Sequence, residues 1–266
     1  MTAAQSTPDP VADDRGVPAL RIAGLAKSFG DTEAVSDVEL TVASGSFLGL
    51  VGPNGAGKTT LLSMAIGLLR PDRGTAFVLG QDVWSKSGST RAKQLIGALP
   101  DGLALPQRLT GAELLTYLGL LRAMPEDLVR ERTAELLDVL DLAHAGRTLI
   151  ADYSTGMRKK IGLASALLHG PKVLVLDEPF EAVDPVSAAV VRAILDGFIG
   201  GGGTVVMSTH VMALVEQVCN QVAIMAHGRI LRTGTLSAVR GGQTLEDAFA
   251  ELVGAAPARG LSWFAL

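Results

Sequence analysis

The sequence contains the stretch Gly52-Pro53-Asn54-Gly55-Ala56-Gly57-Lys58-Thr59-Thr60. It fits the phosphate-binding pattern G-x-x-x-x-G-K-[ST], known as Walker A. The apolar run at residues 46–51 predicts a short buried strand, and residues 60–69 predict a helix that the loop opens. Glycines let backbone N–H groups turn inward around a polyphosphate, and the helix N-terminus adds the positive end of its dipole. The stretch therefore predicts a site for a nucleoside triphosphate.

Three side chains at the end of this loop predict how phosphates and a metal ion would be held. We expect Lys58 to lie as a point charge between the β- and γ-phosphates. We expect Thr59 to hold Mg²⁺ through its hydroxyl, and Thr60 to bond the α-phosphate. The loop alone is compatible with kinases, GTPases and transport ATPases.

The 266 residues are 48% hydrophobic and 19% charged, which is ordinary for a globular protein. The net charge of −4 gives no general attraction for nucleic acid, so we expect no nucleic-acid partner. No apolar run approaches the roughly 18 to 20 residues that cross a bilayer. Residues 1–18 are polar and contain several prolines, which predicts a disordered lead-in without an export signal, and hence a cytosolic protein. The single cysteine, Cys219, predicts a buried structural thiol.

The order of strand and helix patterns predicts an α/β fold of the P-loop NTPase type. Apolar runs at Lys172-Val-Leu-Val-Leu-Asp177 and Thr204-Val-Val-Met-Ser208, separated by a helix over residues 185–199, favour a mostly parallel central sheet. Strand patterns over residues 20–51 predict an antiparallel β front layer. Leucines at helical spacing between residues 91 and 151 predict an inserted helical subdomain.

These patterns predict a single domain over residues 19–254. A hairpin is expected around His227-Gly228, and a capping box at Thr244 predicts a last helix from Leu245 to Val253. The expected segments are a disordered lead-in at 1–18, a catalytic core at 19–90 and 152–240, a helical subdomain at 91–151, a C-terminal helix at 241–254 and a tail at 255–266.

A second segment, Lys172-Val-Leu-Val-Leu-Asp177-Glu178-Pro179, brings two carboxylates to the end of a buried strand. Ligand sites in parallel α/β sheets lie at this edge. This Walker B pattern predicts that Asp177 binds Mg²⁺, usually through its water shell. It also predicts that Glu178 orients and polarises the water that attacks the γ-phosphate. Two adjacent acids after a strand are also typical of a solvated turn, and the phosphate loop is what favours the catalytic interpretation.

Over residues 20–253 the sequence resembles the nucleotide-binding subunit of ATP-binding cassette (ABC) transporters. Tyr153-Ser154-Thr155-Gly156-Met157 stands where that family carries its signature, usually Leu-Ser-Gly-Gly-Gln. The resemblance implies that Ser154 and the backbone N–H of Gly156 face the γ-phosphate held by an opposing subunit. Taken alone, Ser154 is a plain N-cap for a helix over residues 155–168.

Three further residues match positions of the same family. His210 matches the switch histidine that contacts the γ-phosphate and helps position Glu178, although a lone histidine is more often a surface residue. Asp184 matches the loop that communicates across the dimer, and its alternative is a helix N-cap before Pro185. Phe29 matches the aromatic residue that stacks on adenine, with a core phenylalanine as the alternative. A guanine-reading Asn-Lys-x-Asp motif is absent from the sequence, which favours ATP.

Three positions depart from the family pattern. Thr155 replaces a glycine and crowds the face that approaches the partner's phosphate, and Met157 replaces a glutamine. Asp101 stands where the family places a glutamine that senses Mg²⁺, and Gln107 is a weaker candidate for that role. Asp101 is a further candidate to bind Mg²⁺, but it adds negative charge beside the Walker B acids. These variants resemble the exporter branch, in which the ATPase chain pairs with a separate permease chain. The run Arg158-Lys159-Lys160 predicts a solvated helix surface in preference to a phosphate- or lipid-contacting patch.

Together these features predict an ATP-binding and ATP-hydrolysing subunit of an ABC transporter. It is expected to bind ATP and Mg²⁺, to dimerise with a second copy of itself around two ATP molecules, and to drive an integral-membrane permease, as an exporter, from the inner face of the membrane. The helical subdomain and the loop at residues 99–110 are the expected docking surface. Two alternatives stay open: a soluble ABC ATPase acting on ribosomes or DNA, and a regulatory ATP-binding subunit with little hydrolysis.

Overall fold

The computed structural model describes residues 16–254, so the predicted tail at 255–266 and most of the predicted lead-in at 1–18 lie outside the described residues. In this part of the chain the strands are β1 (Leu20–Phe29), β2 (Thr32–Val42), β3 (Phe47–Val51), β4 (Arg73–Val78), β5 (Gln81–Asp82), β6 (Ile96–Leu99), β7 (Val173–Asp177), β8 (Thr204–Thr209), β9 (Gln221–Ala226) and β10 (Arg229–Thr235). The helices are α1 (Lys58–Ala65), α2 (Ser89–Leu95), α3 (Gly111–Leu121), α4 (Glu126–Val139), α5 (Thr155–Leu167), α6 (Pro185–Gly200), α7 (Met212–Val218), α8 (Leu236–Arg240) and α9 (Leu245–Val253), with 3₁₀ turns at Ala143–Ala145 and Ile150–Asp152.

The central sheet has the strand order β10-β9-β3-β8-β7-β6. Its neighbouring strands are parallel except for the β9–β10 hairpin at one edge. Strands β3 and β7 are buried along their whole length, as expected where both faces of a sheet are covered. The predicted parallel sheet and the predicted hairpin are confirmed.

Alternate residues of the central strands divide the core into two hydrophobic clusters, one on each face of the sheet. In β7, Leu174 and Leu176 belong to one cluster, and Val173 and Val175 belong to the other. The second cluster also contains the buried apolar residues of α1 and most of those of β1, and α1 contacts strands of both sheets. This packing determines where the phosphate loop, which precedes α1, can lie.

The front sheet is antiparallel, with the strand order β2-β1-β4-β5. It confirms the predicted β front layer. The backbone N–H of Ser36 in β2 donates to the carbonyl oxygen of Gly228 at 2.9 Å. Since Gly228 lies in the turn between β9 and β10, this bond connects the front sheet to the central sheet.

The segment expected to be helical, residues 91–151, contains a strand of the central sheet. Ile96–Leu99 form β6, because this apolar run satisfies its backbone by parallel pairing with β7. Helices α3 and α4 follow and pack against each other and against α5. Thr110 caps α3 in a reciprocal capping box with Glu113. Within residues 16–254 no helix combines the length and the apolarity that a membrane span requires.

Candidate active site

The phosphate loop lies between β3 and α1 and makes tight backbone contacts on both sides. A Cβ on Gly52 would come within 2.1 Å of the carbonyl oxygen of Met225, and one on Gly57 within 2.3 Å of that of Ala34. Gly57 also has a φ of +101°, in the region that favours glycine. The conformation of the loop is therefore determined by the fold of its own chain.

Helix α1 begins at Lys58 and presents an uncapped N-terminus to this loop. No side chain caps the helix, and no acidic residue lies in its first turn. The first N–H groups of a helix have no intrahelical partner, and the positive end of the dipole lies beside them. A phosphate group would satisfy both, so the loop fits the predicted triphosphate.

The side chain of Lys58 is buried and folds back onto the loop. Its Nζ donates to the carbonyl oxygen of Gly52 at 2.8 Å and to that of Pro53 at 3.2 Å. Burial lowers the pKa of Lys58, and the negative charges of Glu178 and Asp177 act in the opposite direction. The loop thus holds its cation near the two carboxylates at the end of β7.

Asp177 and Glu178 are held at the end of β7 by the neighbouring strand β8. Asp177 is buried, and its Oδ1 accepts a hydrogen bond from the hydroxyl of Ser208. The same hydroxyl oxygen accepts from the backbone N–H of Glu178 at 3.1 Å. Glu178 has a φ of +45°, which is uncommon for a residue with a side chain. Ser208 therefore connects the two acids and was missed by sequence reasoning, because only strand pairing brings it beside them.

The Oε1 atom of Glu178 lies close to two nitrogen atoms. The Nδ1 of His210 is 3.0 Å away, and the Nζ of Lys58 is 3.9 Å away. The Glu178 side chain is 13% exposed, whereas that of His210 is 40% exposed. An Nδ1–H group on either a neutral or a protonated imidazole can donate to this carboxylate. The structure thus brings together the acid, the histidine and the loop cation.

These groups surround a polar cavity with a volume of about 370 Å³. The residues that line it are Ala34, Asn54, Gly55, Ala56, Gly57, Lys58, Thr59, Thr60, Asp101, Glu178, Glu181 and His210. Sequence reasoning missed Ala34 and Glu181. No local pattern marks them, since Ala34 reaches the cavity from the front sheet and Glu181 from the loop after β7.

The oxygen atoms around this cavity are of the kind that Mg²⁺ prefers. The ion is usually held by one or two carboxylates together with waters and substrate phosphates. Thr59 and Asp101 line the cavity, and Asp177 is buried beside Glu178. The side chains present therefore fit a hydrated magnesium ion that accompanies a triphosphate.

Phe29 lies outside the lining of this cavity. It is 51% exposed at the end of β1, so the alternative of a core phenylalanine is wrong. The Nζ of Lys27 lies 5.8 Å from the centre of its ring. The ring is thus available at the surface of the front sheet.

The predicted signature segment and Asp184 also lie outside the cavity, and each caps a helix. The hydroxyl of Ser154 accepts from the backbone N–H of Met157 at 3.2 Å and so begins α5. Asp184 begins α6 through bonds from the N–H groups of Ser187 and Val186, and these bonds lower the pKa of Asp184. The structural alternatives for both residues are confirmed, and any further role must involve groups beyond their own helices.

The prediction that Arg158-Lys159-Lys160 form a solvated surface is wrong for the two lysines. Lys160 is buried, and Lys159 is largely buried with its Nζ 3.0 Å from the carbonyl oxygen of Glu178. Arg158 is exposed and bonds the carbonyl oxygens of Tyr153 and Ala151. The reason is that apolar residues occupy most sides of α5 from Ile161 onward, so the helix is packed nearly all round. A surface interpretation needs a helix with one polar face.

The fold and the site together define a P-loop nucleoside triphosphatase. A glycine-rich loop opens a helix, and an acidic pair ends the next strand but one in the same parallel sheet. The profile of the family described as "ABC transporter" matches residues 35–181, more than half of the chain. The chain belongs to this family.

Known relatives agree with this assignment. The chain is 37% identical over 231 residues to the daunorubicin resistance ATP-binding protein DrrA3 of Streptomyces coeruleorubidus, covering 86% of this chain and 72% of that protein. It is 36% identical over 217 residues to the Nod factor export ATP-binding protein I of Rhizobium sp. (strain N33), covering 82% of this chain and 71% of that protein. A solved structure described as the ATP binding subunit of an ABC transporter superposes with a TM-score of 0.81 at 27% identity, covering 88% of this chain and 99% of that one.

The predicted family, the α/β fold and the ATPase activity are therefore confirmed. The chain is an ATP-binding subunit of an ABC transporter, and subunits of this kind work with transmembrane permeases. The relatives favour transport over the alternative of an ATPase that acts on ribosomes or DNA.

Proposed function

We propose that two copies of this chain close head to tail around two ATP molecules and that hydrolysis reopens them to drive a permease. The proposed dimer is supported by one observation. The cavity holds the phosphate loop, Glu178 and His210, whereas the exposed N-terminus of α5, with Ser154 and Thr155, lies outside it. For this helix N-terminus to contact ATP, the ATP must therefore be held by another molecule.

In the proposed site, Glu178 orients the attacking water, which adds to the γ-phosphorus as the bond to the bridging oxygen of ADP breaks. Its Oε1 accepts from the water while His210, 3.0 Å away, holds the carboxylate in place. Lys58 carries the positive charge that the β- and γ-phosphates require. Thr59 and Asp177, with Asp101 as a further candidate, would hold Mg²⁺, which neutralises charge on the phosphates when bound.

A Glu178→Gln substitution tests the role of this carboxylate. We expect phosphate release to fall by about two orders of magnitude or more, because the amide no longer accepts a proton from the water. Binding of ATP should be retained, since the phosphate loop is unchanged. Glu131→Gln, on the exposed side of α4, is the matched control and should keep the turnover of the parent chain. Turnover in Glu178→Gln equal to that of the control would contradict the role.

Two further residues have proposed roles at the surface of the site. The exposed ring of Phe29 is available to stack on adenine, which contributes about 1 to 3 kcal/mol per base. Asp184 begins α6 and lies near Gly156, where a Cβ would be 3.8 Å from its Oδ2. This proximity within one copy links the signature segment to Asp184, for which we propose a role in communication across the dimer.

We infer that the permease docks on an apolar groove beside the loop at residues 99–110. The groove has a volume of about 500 Å³ and is lined by residues that include Leu68, Leu103, Leu105 and Leu118. Leu68 and Leu103 are both exposed and lie together in this groove, and a contiguous exposed apolar patch is typical of a surface that a partner covers. Because the same loop carries Asp101 into the active-site cavity, docking and hydrolysis would share one segment.

Docking at this groove would place the chain at the inner face of the membrane. The relative named for Nod factor export favours the outward direction of transport. When the chain is produced together with its permease, Leu68→Glu should lower the membrane-bound fraction without changing ATP binding. An unchanged membrane-bound fraction would show that the permease does not dock on this groove.

A further inference from the structure

Lys159 connects two parts of the molecule that come from distant segments of the chain. It lies in the second turn of α5, and its Nζ donates to the main-chain carbonyl oxygen of Glu178 at 3.0 Å. The same Nζ is 3.9 Å from Oδ1 of Asp101. The Lys159 side chain is only 16% exposed, so its charge is largely removed from water and depends on these oxygen atoms for compensation.

The Nζ of Lys159 lies within ion-pair distance of Asp101, an acid on the loop that leads into α3. Asp101 adds a negative charge to a site that already contains Asp177 and Glu178. Lys58 lies beside the Walker B acids, and Lys159 lies beside Asp101. Asp101 also lines a neighbouring cavity of about 350 Å³, which Lys159 lines as well. The acid therefore lies where the two cavities meet, with Lys159 on one side.

Hydrogen bonds hold the main chain of Glu178 at both its N–H group and its carbonyl group. Its φ of +45° is a conformation that persists in residues with a side chain only where the surroundings maintain it. The hydroxyl of Ser208 accepts from its N–H, and Lys159 donates to its carbonyl oxygen. Loss of either bond would let one peptide group rotate, and the Glu178 side chain would then no longer be held in one direction.

We propose that Lys159 is a positioning residue for hydrolysis. It holds the main chain of Glu178 in its left-handed conformation and at the same time pairs with the half-exposed Asp101. Movement of the loop that carries Asp101 is thereby transmitted to the carboxylate that orients the water. This inference rests on the proposed role of Glu178.

The test compares Lys159→Met and Lys159→Arg in the full-length chain with ATP and Mg²⁺. Lys159→Met keeps the apolar stem and should lower kcat about ten-fold with less than about a two-fold change in KM, because the phosphate loop is untouched. Lys159→Arg keeps the charge and the donor and should recover about half of the lost kcat. Lys172→Met, at the exposed opposite end of β7, is the matched control and should keep the parent kcat.

Asp101→Asn, made in the parent chain and in Lys159→Met, tests the connection between the two residues. We expect a loss of about three-fold in the parent and no further loss in Lys159→Met, since residues that act through one contact are not additive. Losses that simply multiply would overturn the transmission through Asp101. A parent-like kcat in Lys159→Met, or a loss that lies wholly in KM, would overturn the positioning role.

The ATP hydrolysis of Glu178→Gln, measured in the same series, distinguishes a failure of the Lys159 role from a failure of the proposed Glu178 role. If Glu178→Gln is inactive while Lys159→Met is not impaired, the role of Lys159 is wrong and that of Glu178 stands. If Glu178→Gln hydrolyses ATP like the parent, the proposed function itself is wrong.

Discussion

The phosphate loop and the signature segment differ in what constrains them. A Cβ on Gly57 would overlap the carbonyl oxygen of Ala34 at 2.3 Å, whereas a Cβ on Gly156 would meet nothing closer than Asp184 Oδ2 at 3.8 Å. The loop is thus determined by its own fold, and the signature segment has space in its own chain. The irregular residues, Thr155 and Met157, occur in the segment whose proposed contacts belong to a second molecule. We therefore expect that changes in the signature segment affect the stability of the chain less than changes in the phosphate loop.

Lys58→Ala removes the cation of the phosphate loop and should have the largest effect of these substitutions, on ATP affinity. We expect ATP affinity to fall by about two to three orders of magnitude, because charge-assisted bonds to phosphate are lost in a buried setting. Titration calorimetry with ATP and Mg²⁺ measures the change, with Lys172→Ala as the control. Unchanged affinity would show that the loop does not hold the phosphates.

Gly57→Ala and Gly156→Ala test the difference in constraint directly. Gly57→Ala should lower the free energy of unfolding by about 2 kcal/mol, through overlap with Ala34 and strain at a positive φ. Gly156→Ala should change it by less than about 1 kcal/mol, because alanine is favoured within a helix. Denaturant titration of both variants measures this contrast. Equal destabilisation would remove the distinction between the two regions.

Thr155→Gly tests whether the irregular signature weakens closure. In a Glu178→Gln background, we expect the ATP-dependent dimer to bind about three- to ten-fold more tightly, because a side chain is removed from the face that meets the partner's phosphate. Sedimentation equilibrium gives the dissociation constant. Weaker association would indicate that Thr155 itself contributes a contact.

Thiol labelling of Cys219 should give the smallest signal in the folded chain, and it reports on the packing beside Gly49 in β3. A Cβ on Gly49 would lie 3.1 Å from its Sγ, and burial raises the pKa of Cys219 to about 12. A raised pKa keeps the thiol protonated at pH 8, and the thiolate is the form that reacts. Iodoacetamide should therefore label Cys219 only after unfolding, as followed by mass spectrometry. Rapid labelling of the folded chain at pH 8 would contradict tight packing behind the phosphate loop.

Sequence patterns predicted those parts of the site that are local in the chain. The phosphate loop and the acidic pair are each contained in one short segment, and their strands and helices were predicted within a few residues. Ser208 and Lys159 were beyond such reasoning, because strand pairing and the packing of α5 bring them to Glu178 from 30 and 19 residues away. The strand β6 was missed for the same reason, since its four residues become a strand only against β7.

The mass of Glu178→Gln in solution tests the sandwich arrangement most directly. Slow hydrolysis should trap the closed state, so ATP with Mg²⁺ should convert the monomer to a species of twice its mass, and ADP should not. The additional change Lys58→Ala should restore the monomer, because the phosphate loop no longer holds the shared ATP. A chain that binds ATP but remains monomeric at high concentration would contradict the claim that the phosphate loop of one copy and the signature segment of another form one site.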